Sequence, residues 1–412
     1  MNPSSQLFHQ GEEKLTTWNR PESKYNETHQ QCFITWSQQL HVQYSTKPMP
    51  MIDDPRDILL KVTATTICDC NPNLCNKTMV YMDNGDILGH EFMGVIHRVG
   101  DQVTKLYVGQ RVVVAFNIAC GFCEYCQRQE YAVCDTIYSS KLQEKLHQQK
   151  KVTLFGHSCL KSAGLGGQAE YIRVPFADIN CLPIPNDVPD DKALYLSDII
   201  PTAFHGCHIG NVKEGSIVAI WGLGPIGLLQ ARWCQILGAK RIIGIDYVPK
   251  RLKIAHQSLQ IETINVKECD TMKTLLEMVP GGADCSLQAV DFNYSKSLLY
   301  KDERSLQSTA DVDILTEIIA CTRKCGTISI IGDYNNVINH IPIRLIMEKN
   351  LRIIGGQSHT QKYWPTCLHK VLSGEIDPTF IITHSFNINH LSNYYEQLID
   401  EETLKCFIQV QN

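Results

Sequence analysis

The stretch Ile217-Val-Ala-Ile-Trp221-Gly222-Leu-Gly224-Pro225-Ile226-Gly227 decides the reading of this chain. Its first five residues form an apolar run suited to a buried strand. A G-x-G-x-x-G element follows and opens a segment of helical spacing that ends near Leu237-Gly238. Glycines there allow a tight turn and the close approach of backbone N–H groups to a pyrophosphate at a helix N-terminus. Gly222, Gly224, Pro225, Ile226 and Gly227 are therefore candidate dinucleotide-binding residues. Further on, Asp246 closes the next apolar run. An acid at that point accepts hydrogen bonds from the adenosine ribose hydroxyls and repels a 2′-phosphate, which favours NAD over NADP. The glycine pattern alone also fits a strand–helix turn that binds nothing; its context favours the dinucleotide.

Outward from this element, segments 241–245, 262–265, 284–290, 327–331 and 351–354 read as further strands, most of them separated by helical spacing. That alternation predicts a parallel sheet covered on both faces. Residues 293–311 are polar and aperiodic and read as a long loop. Before Pro201 the chain is β-rich from about Cys32, with branched runs such as 58–62 and 111–114 between Gly, Pro and Asp turns. The Lys/Gln-rich residues 139–151 read as a surface excursion, leading through glycines at 164–167 to a strand-like run at 169–172. The tail after about Lys362 returns to the character of the first part. The expected organisation is α/β, one domain interrupted by another. A variable extension covers 1–30, a β-rich domain spans 31–200 and is completed by 363–412, and a doubly wound domain occupies 201–362.

At 412 residues the chain holds more than one core, and 43% apolar with 20% charged residues excludes a wholly disordered polymer. A net charge of −5 and the lack of a clustered Lys/Arg stripe argue against a nucleic-acid partner. The most apolar stretch, 217–229, is interrupted by glycines and a proline and falls short of the roughly 20 residues that span a bilayer, so no membrane association is expected. No basic head followed by an apolar run opens the sequence, which points to a cytoplasmic location. In that reducing setting the 18 cysteines serve as thiols and metal ligands.

Four of those cysteines cluster: Cys120, Cys123, Cys126 and Cys134 form a C-x2-C-x2-C-x7-C array. Four thiolates complete a tetrahedral Zn²⁺ and leave no open position, so such a site is structural. An iron–sulfur cluster also takes four thiolates but with other usual spacings, and four unrelated buried cysteines are the plain alternative. Gly89-His90-Glu91 follows a glycine turn, and Cys68 lies 22 residues before His90. A thiolate and an imidazole from separate loops suit a second zinc, with a third ligand from elsewhere and an open position for substrate. Read alone, His90 also fits an ordinary partly buried histidine.

Read in order, Gly89-His90-Glu91-Phe-Met-Gly94, Phe116-Asn-Ile-Ala-Cys120-Gly-Phe-Cys123, Gly167-Gln-Ala-Glu170-Tyr171, Leu196-Ser-Asp198-Ile-Ile-Pro201-Thr202-Ala203, the 221–227 element and Gly356-Gln-Ser-His359 form one series. In that series the chain resembles the zinc-containing medium-chain alcohol dehydrogenases, most closely the branch containing glutathione-independent formaldehyde dehydrogenase. The resemblance runs from about Cys32 to the C-terminus and is weakest across 140–165 and 293–311. It implies a GroES-like catalytic domain, a Rossmann domain, NAD and two zinc ions per subunit. By the same resemblance, Cys68, His90 and Asp198 fall on ligands of the catalytic zinc, and Glu91 on the acid beside that metal. Cys120, Cys123, Cys126 and Cys134 fall on the structural-zinc lobe. Arg251 falls on a position that packs against the adenosine portion, and Gly356 and Ser358 on contacts near the cofactor. The implied partners are a small alcohol or aldehyde and further copies of the chain, as a homodimer or homotetramer.

The stretch after the first ligand departs from the family's Cys-Gly-Ser/Thr-Asp-x-His. Cys70 replaces the proton-passing hydroxyl, Asn73 the relay histidine, and Asn71 the carboxylate that would orient the zinc-bound imidazole. Asp69 adds a charge where a glycine backbone normally meets the cofactor. Cys70 or Cys75 also offers a thiolate in place of Cys68, although the interval to His90 favours Cys68. Two functions follow: a zinc-dependent oxidoreductase passing hydride between an alcohol or aldehyde and NAD, or a catalytically impaired scaffold that keeps the zinc and NAD sites. A metal-binding transcription factor, suggested by the cysteine array alone, is disfavoured by the acidic charge balance.

Overall fold

The computed structural model describes residues 29–36, 42–67, 87–137, 154–156, 165–290, 310–332, 341–397 and 402–410. The expectations made for 1–28, for Cys68 to Asn73 and Cys75, for 139–151 and for 293–309 lie outside the described residues.

The run Ile217–Trp221 is the centre of a six-stranded sheet, buried from Val218 onward. Its branched residues are flanked by Arg241–Asp246 and Ala283–Gln288, both parallel to it. The spatial order is Glu262–Asn265, Arg241–Asp246, Ile217–Trp221, Ala283–Gln288, Thr322–Ile330, Arg352–Gly355, and every pairing is parallel. Strand order reverses between Ile217–Trp221 and Ala283–Gln288, the switch point where doubly wound sheets open a crevice at their carboxyl ends. Leu228, Leu229 and Trp233 of helix Pro225–Ile236 join one core cluster, while Leu275 of helix Thr271–Met278 and Ile314 and Ile318 of helix Ala310–Cys321 join another.

Two expectations are corrected here. Ala310 and Asp311 are helical, so the aperiodic segment gives way to helix Ala310–Cys321 before its expected end. The strand expected at 327–331 begins at Thr322, where an exposed polar run with Cys325 at φ 60° hides the strand pattern.

A seven-stranded, mainly antiparallel sheet forms the other half. Ile58–Thr65 pairs with Phe92–Val99 and with Tyr171–Val174, Phe92–Val99 pairs with Arg111–Val114, and Arg111–Val114 pairs with Cys181–Pro183. The C-terminal strand Lys405–Gln409 enters the same sheet, antiparallel to Ile58–Thr65 and parallel to Ile382–Asn387. The first and last parts of the chain thus share one sheet. A separate ribbon pairs His29–Trp36 with Val42–Pro48, so that strand structure begins at His29.

Helix Ile199–Ile209 is the seam between the halves. One buried cluster contains Met93 and Val113 of the seven-stranded sheet, Ile199, Ile200 and Ala203 of this helix, and Val218 and Ile220 of the six-stranded sheet. Burying this many side chains, at about 25 cal/mol per Å² of apolar area, holds the two sheets in fixed register across the crevice. Among the described residues no helix is long and apolar enough to cross a membrane.

Candidate active site

Gly89 has φ +95°, and a Cβ there would lie 2.7 Å from Gln168 Cγ. The turn it makes is locked from the neighbouring loop: the Gly167 N–H donates to the Gly89 carbonyl at 2.7 Å and the Gln168 N–H to Leu88 at 2.9 Å. His90 follows directly, buried, its ring edge-on to Phe116 at 6.2 Å between centroids. Asp198 comes from the seam, where its non-helical backbone (φ −149°, ψ −75°) turns the chain from the short helical turn Leu194–Ser197 into helix Ile199–Ile209. Thr202, one turn on, donates its hydroxyl to Asp198 Oδ1 at 2.5 Å. Asp198 Oδ2 is thereby aimed at His90 Nε2, 3.4 Å away. Two donors at roughly 2.05 Å from one tetrahedral zinc are separated by about 3.3 Å, so the spacing and the donor types suit that ion.

Potential ligand atoms of His90, Glu91 and Asp198 all lie within 4.8 Å of one another. Glu91 is tethered elsewhere, however: Lys405 Nζ donates to its Oε2 at 2.9 Å, with both side chains almost fully buried. The structure thus brings together three of the four residues assigned to the catalytic zinc and its neighbouring acid. Cys68, the fourth, lies outside the described residues. Sequence reasoning missed Lys405. Its one signal was a lysine within the apolar run Leu404-Lys405-Cys406-Phe407-Ile408, at a position where a strand of the shared sheet faces inward. Tyr195 packs beside the pair and donates to the Cys406 carbonyl at 3.1 Å; burial pushes its phenol well above the ordinary range, against the pull of Lys405.

Cys120, Cys123, Cys126 and Cys134 form a second compact group. Sulfur separations of 3.9 Å for Cys120–Cys126 and 3.8 Å for Cys123–Cys134 match the edge of about 3.8 Å expected of a ZnS₄ tetrahedron. Backbone N–H groups of Phe122 and Cys123 donate to Cys120 Sγ, that of Cys126 to Cys123 Sγ, and that of Cys120 to Cys134 Sγ. Such donors favour thiolate over thiol. The Cys126 thiol and the Cys120 backbone N–H pull Cys134 down to about 5 against burial, whereas Cys126 itself is pushed up by Cys134 and by burial. Burial pushes Cys120 up as well, so a divalent cation would be needed for all four sulfurs to carry negative charge.

At the crevice of the parallel sheet, the three glycines do different work. Gly222 has φ +90°, and a Cβ there would meet the Ala289 carbonyl oxygen at 2.7 Å. At Gly227 it would meet the Gly222 carbonyl oxygen at 1.9 Å, whereas Gly224 faces open space. Gly224 caps helix Pro225–Ile236 with no side-chain bond to its first N–H groups, which leaves them for an anion. Asp246 is buried. Its carboxylate accepts from the N–H groups of Leu223 at 2.7 Å, Tyr247 at 2.6 Å and Val248 at 2.9 Å, and Arg251 Nη1 lies 3.8 Å away. One carboxylate oxygen thus holds the glycine turn through Leu223, and the other caps the residues that follow Asp246. Arg251 Nε is buried without a hydrogen-bond partner, an orphan that suits a polar ligand atom. Gly356 is exposed beyond the carboxyl end of Arg352–Gly355 with nothing within 4 Å of where a Cβ would stand, and Ser358 is buried, its Oγ 3.5 Å from Thr360 Oγ1. The open space beside Gly224 and beside Gly356, together with the unpartnered Arg251 Nε next to Asp246, fits a nicotinamide dinucleotide.

Comparison with known proteins agrees with this geometry. A family model described as the alcohol dehydrogenase GroES-like domain matches residues 54–186. The chain is 41% identical over 370 residues to a zinc-type alcohol dehydrogenase-like protein of Schizosaccharomyces pombe, covering 89% of this chain and 88% of that one. It is 31% identical over 306 residues to glutathione-independent formaldehyde dehydrogenase of Pseudomonas aeruginosa, covering 71% and 72% of the two chains. Among solved structures, alcohol dehydrogenase TADH from Thermus sp. ATN1 superposes with a TM-score of 0.80 at 26% identity, over 92% of this chain and 100% of that one.

Proposed function

This chain belongs to the zinc-containing medium-chain alcohol dehydrogenase family, and from that premise we propose which residues carry its chemistry. The protein is a zinc-dependent oxidoreductase that uses a nicotinamide cofactor. In our reading it passes hydride between a small alcohol or aldehyde and NAD, with two zinc ions per chain. The domain boundaries we propose are 31–200 completed by 363–412 for the GroES-like catalytic domain and 201–362 for the Rossmann domain. Cys68, His90 and Asp198 hold the catalytic zinc, and Cys120, Cys123, Cys126 and Cys134 the structural one. The glycine turn, Asp246, Arg251, Gly356 and Ser358 hold NAD. The preference for NAD over NADP rests on the Asp246 carboxylate, which disfavours a 2′-phosphate.

When bound, the metal supplies Lewis acidity toward the substrate oxygen and the nicotinamide supplies or accepts the hydride. The chain's own residues do the rest. Thr202 fixes one oxygen of Asp198 so that the other shares a point with His90. Lys405 holds Glu91 beside that point as a fixed anion and keeps its Oε2 from swinging into it. Phe116 walls the imidazole with an apolar edge. The single observation that supports this reading best is the convergence of His90 and Asp198, far apart in the chain, to 3.4 Å.

We propose that the chain assembles with further copies of itself, as a homodimer or homotetramer. Arg352–Gly355 is an edge strand exposed along its whole length, and the adjoining helix Ile343–Lys349 buries no residue. Such an apolar edge, with Ile353 and Ile354 outward, is paired or covered in a stable protein. A cytoplasmic location suits the free thiols, Cys207 and Cys234 among them, whose sulfurs face each other at 3.8 Å. The test of function is NADH absorbance with purified protein, NAD and a panel of short alcohols and hydrated aldehydes. Turnover that vanishes in Cys68→Ala supports the reading. No turnover above that control would overturn it.

A further inference from the structure

The motif Gly167-Gln168-Ala169-Glu170-Tyr171 has no part in the chemistry proposed above, yet it is tied to the two chain segments that lead to His90 and toward Cys68. Those segments leave a common ladder. Thr65, the last residue of Ile58–Thr65, faces Phe92, the first of Phe92–Val99, and the Thr65 hydroxyl donates to the Glu91 carbonyl at 3.0 Å. Beyond that rung the ladder ends. One segment runs through Thr66 and Ile67 toward Cys68, and the other reaches His90 through Leu88 and Gly89. Backbone groups on these two segments have no rung of this ladder to pair with and need another partner.

Gln168 ties both. Its side chain serves the first segment: Nε2 donates to the Thr66 carbonyl, two residues before Cys68, at 3.1 Å. Its backbone N–H serves the second, donating to the Leu88 carbonyl, two residues before His90, at 2.9 Å. The side chain is 1% exposed and is itself fixed. On helix Leu391–Gln397, the Tyr395 hydroxyl donates to Gln168 Oε1 at 3.1 Å and lies 3.0 Å from Nε2. Both ends of the amide are thereby engaged. Close packing leaves the loop no play. A Cβ at Gly166 would meet the Ile87 carbonyl oxygen at 2.1 Å, and one at Gly167 would meet Phe92 Cδ1 at 2.2 Å.

We infer that Gln168 is a positioning residue of the catalytic zinc: it sets the Thr66–Ile67 and Leu88–Gly89 segments against each other so that Cys68 and His90 reach one ion, and Tyr395 holds its amide in the pose that does so. The inference rests on the catalytic-zinc reading above. Zinc–ligand distances hold to within about 0.2 Å, so a small relative shift of the two segments is enough to weaken the site. Gln168 acts through backbone carbonyls two residues short of each ligand. Its loss therefore shows in retention of that one ion and leaves the cysteine lobe alone.

The test is release of zinc from the full-length, zinc-loaded protein to a chromogenic chelator, in the parent, Gln168→Met and Tyr395→Phe. Methionine keeps the length of the side chain and the backbone bond to Leu88, but offers Thr66 no donor. One ion is expected to leave Gln168→Met at least about tenfold faster than it leaves the parent, the usual cost of losing a contact that supports a ligand. The other, held by four cysteines, keeps the parent's rate. Cobalt(II) exchanged into the faster site reads the ligand geometry itself: its visible d–d bands shift in Gln168→Met, which a merely space-filling role would not produce. If Gln168→Met does not fold, Tyr395→Phe carries the test, with release of the same ion at least about threefold faster, the effect of one modest hydrogen bond. Unchanged release of both ions, equal acceleration of both, or cobalt bands identical to the parent's overturns the inference. A parent that holds only the ion of the cysteine lobe overturns the catalytic-zinc reading itself, and the inference with it.

Discussion

Replacing Lys405 by methionine removes the cation from a buried ion pair while keeping most of the side-chain volume. At 2.9 Å, and with an effective dielectric near 20, the Lys405–Glu91 attraction is about 6 kcal/mol, of which desolvation of both ions offsets a large part. Removing one partner does not return that desolvation, because the Glu91 side chain stays 1% exposed with its charge uncompensated by Lys405. The expected cost is about 3–5 kcal/mol. The two halves of the chain need not unfold together, so the assay should be local. Hydrogen exchange is read at amides of Lys405–Gln409, the strand that carries the lysine, and of its neighbour Ile58–Thr65. Exchange from these strands should accelerate by at least a hundredfold in Lys405→Met, while strand Arg241–Asp246 of the other sheet is little changed. The double variant Glu91→Gln/Lys405→Met should regain most of the loss, since no uncompensated charge remains. A loss below about 1 kcal/mol, the value for an exposed pair, would refute the claim that this pair braces the site.

Gly227→Ala should cost about 3 kcal/mol or more in denaturant unfolding, since its Cβ would stand 1.9 Å from a backbone oxygen. Gly224→Ala has room and should keep stability within about 1 kcal/mol, yet weaken NADH binding roughly tenfold by crowding the pyrophosphate. Cys126→Ser should release the structural zinc and open residues 120–134 to limited proteolysis, which chelator treatment of the parent should reproduce. The imidazole of His205 is pushed down to about 3 by burial and by His359 and His208, below its ordinary 6.5. Its contribution to stability is therefore complete above about pH 6.5 and is lost as pH falls toward 3; between about pH 6.5 and 5 the loss is about 2 kcal/mol. His205→Phe should flatten that part of the stability profile, and an unchanged slope would contradict the assignment.

The parallel sheet was legible because buried strands such as Ile217–Trp221 and Arg241–Asp246 are apolar branched runs that alternate with segments of helical spacing. Thr322–Ile330 was found only in its second half, because Arg323, Lys324 and Cys325 are exposed and carry no periodic signal. The metal ligands were legible where spacing is local, as in the four-cysteine array. Asp198 entered only through family resemblance, since no local pattern marks one acid as the partner of a histidine more than a hundred residues earlier. Lys405 was legible only as a lysine set in an apolar run. Its meaning depends on a strand pairing between the two ends of the chain, and a lone lysine is ordinarily a surface residue. The unusual residues Asp69, Cys70, Asn71 and Asn73 lie outside the described structure, and the chemistry they alter is a matter for the activity assay.

Zinc content per chain, measured in the parent and in His90→Ala, tests the proposed catalytic centre most directly. The expected result is about two equivalents in the parent and about one in the variant, with NADH still bound, since the cysteine lobe and the glycine turn are untouched. A His90→Ala protein that retains both ions, or a parent that holds only the ion of the cysteine lobe, would contradict the convergence of His90 and Asp198 on a metal.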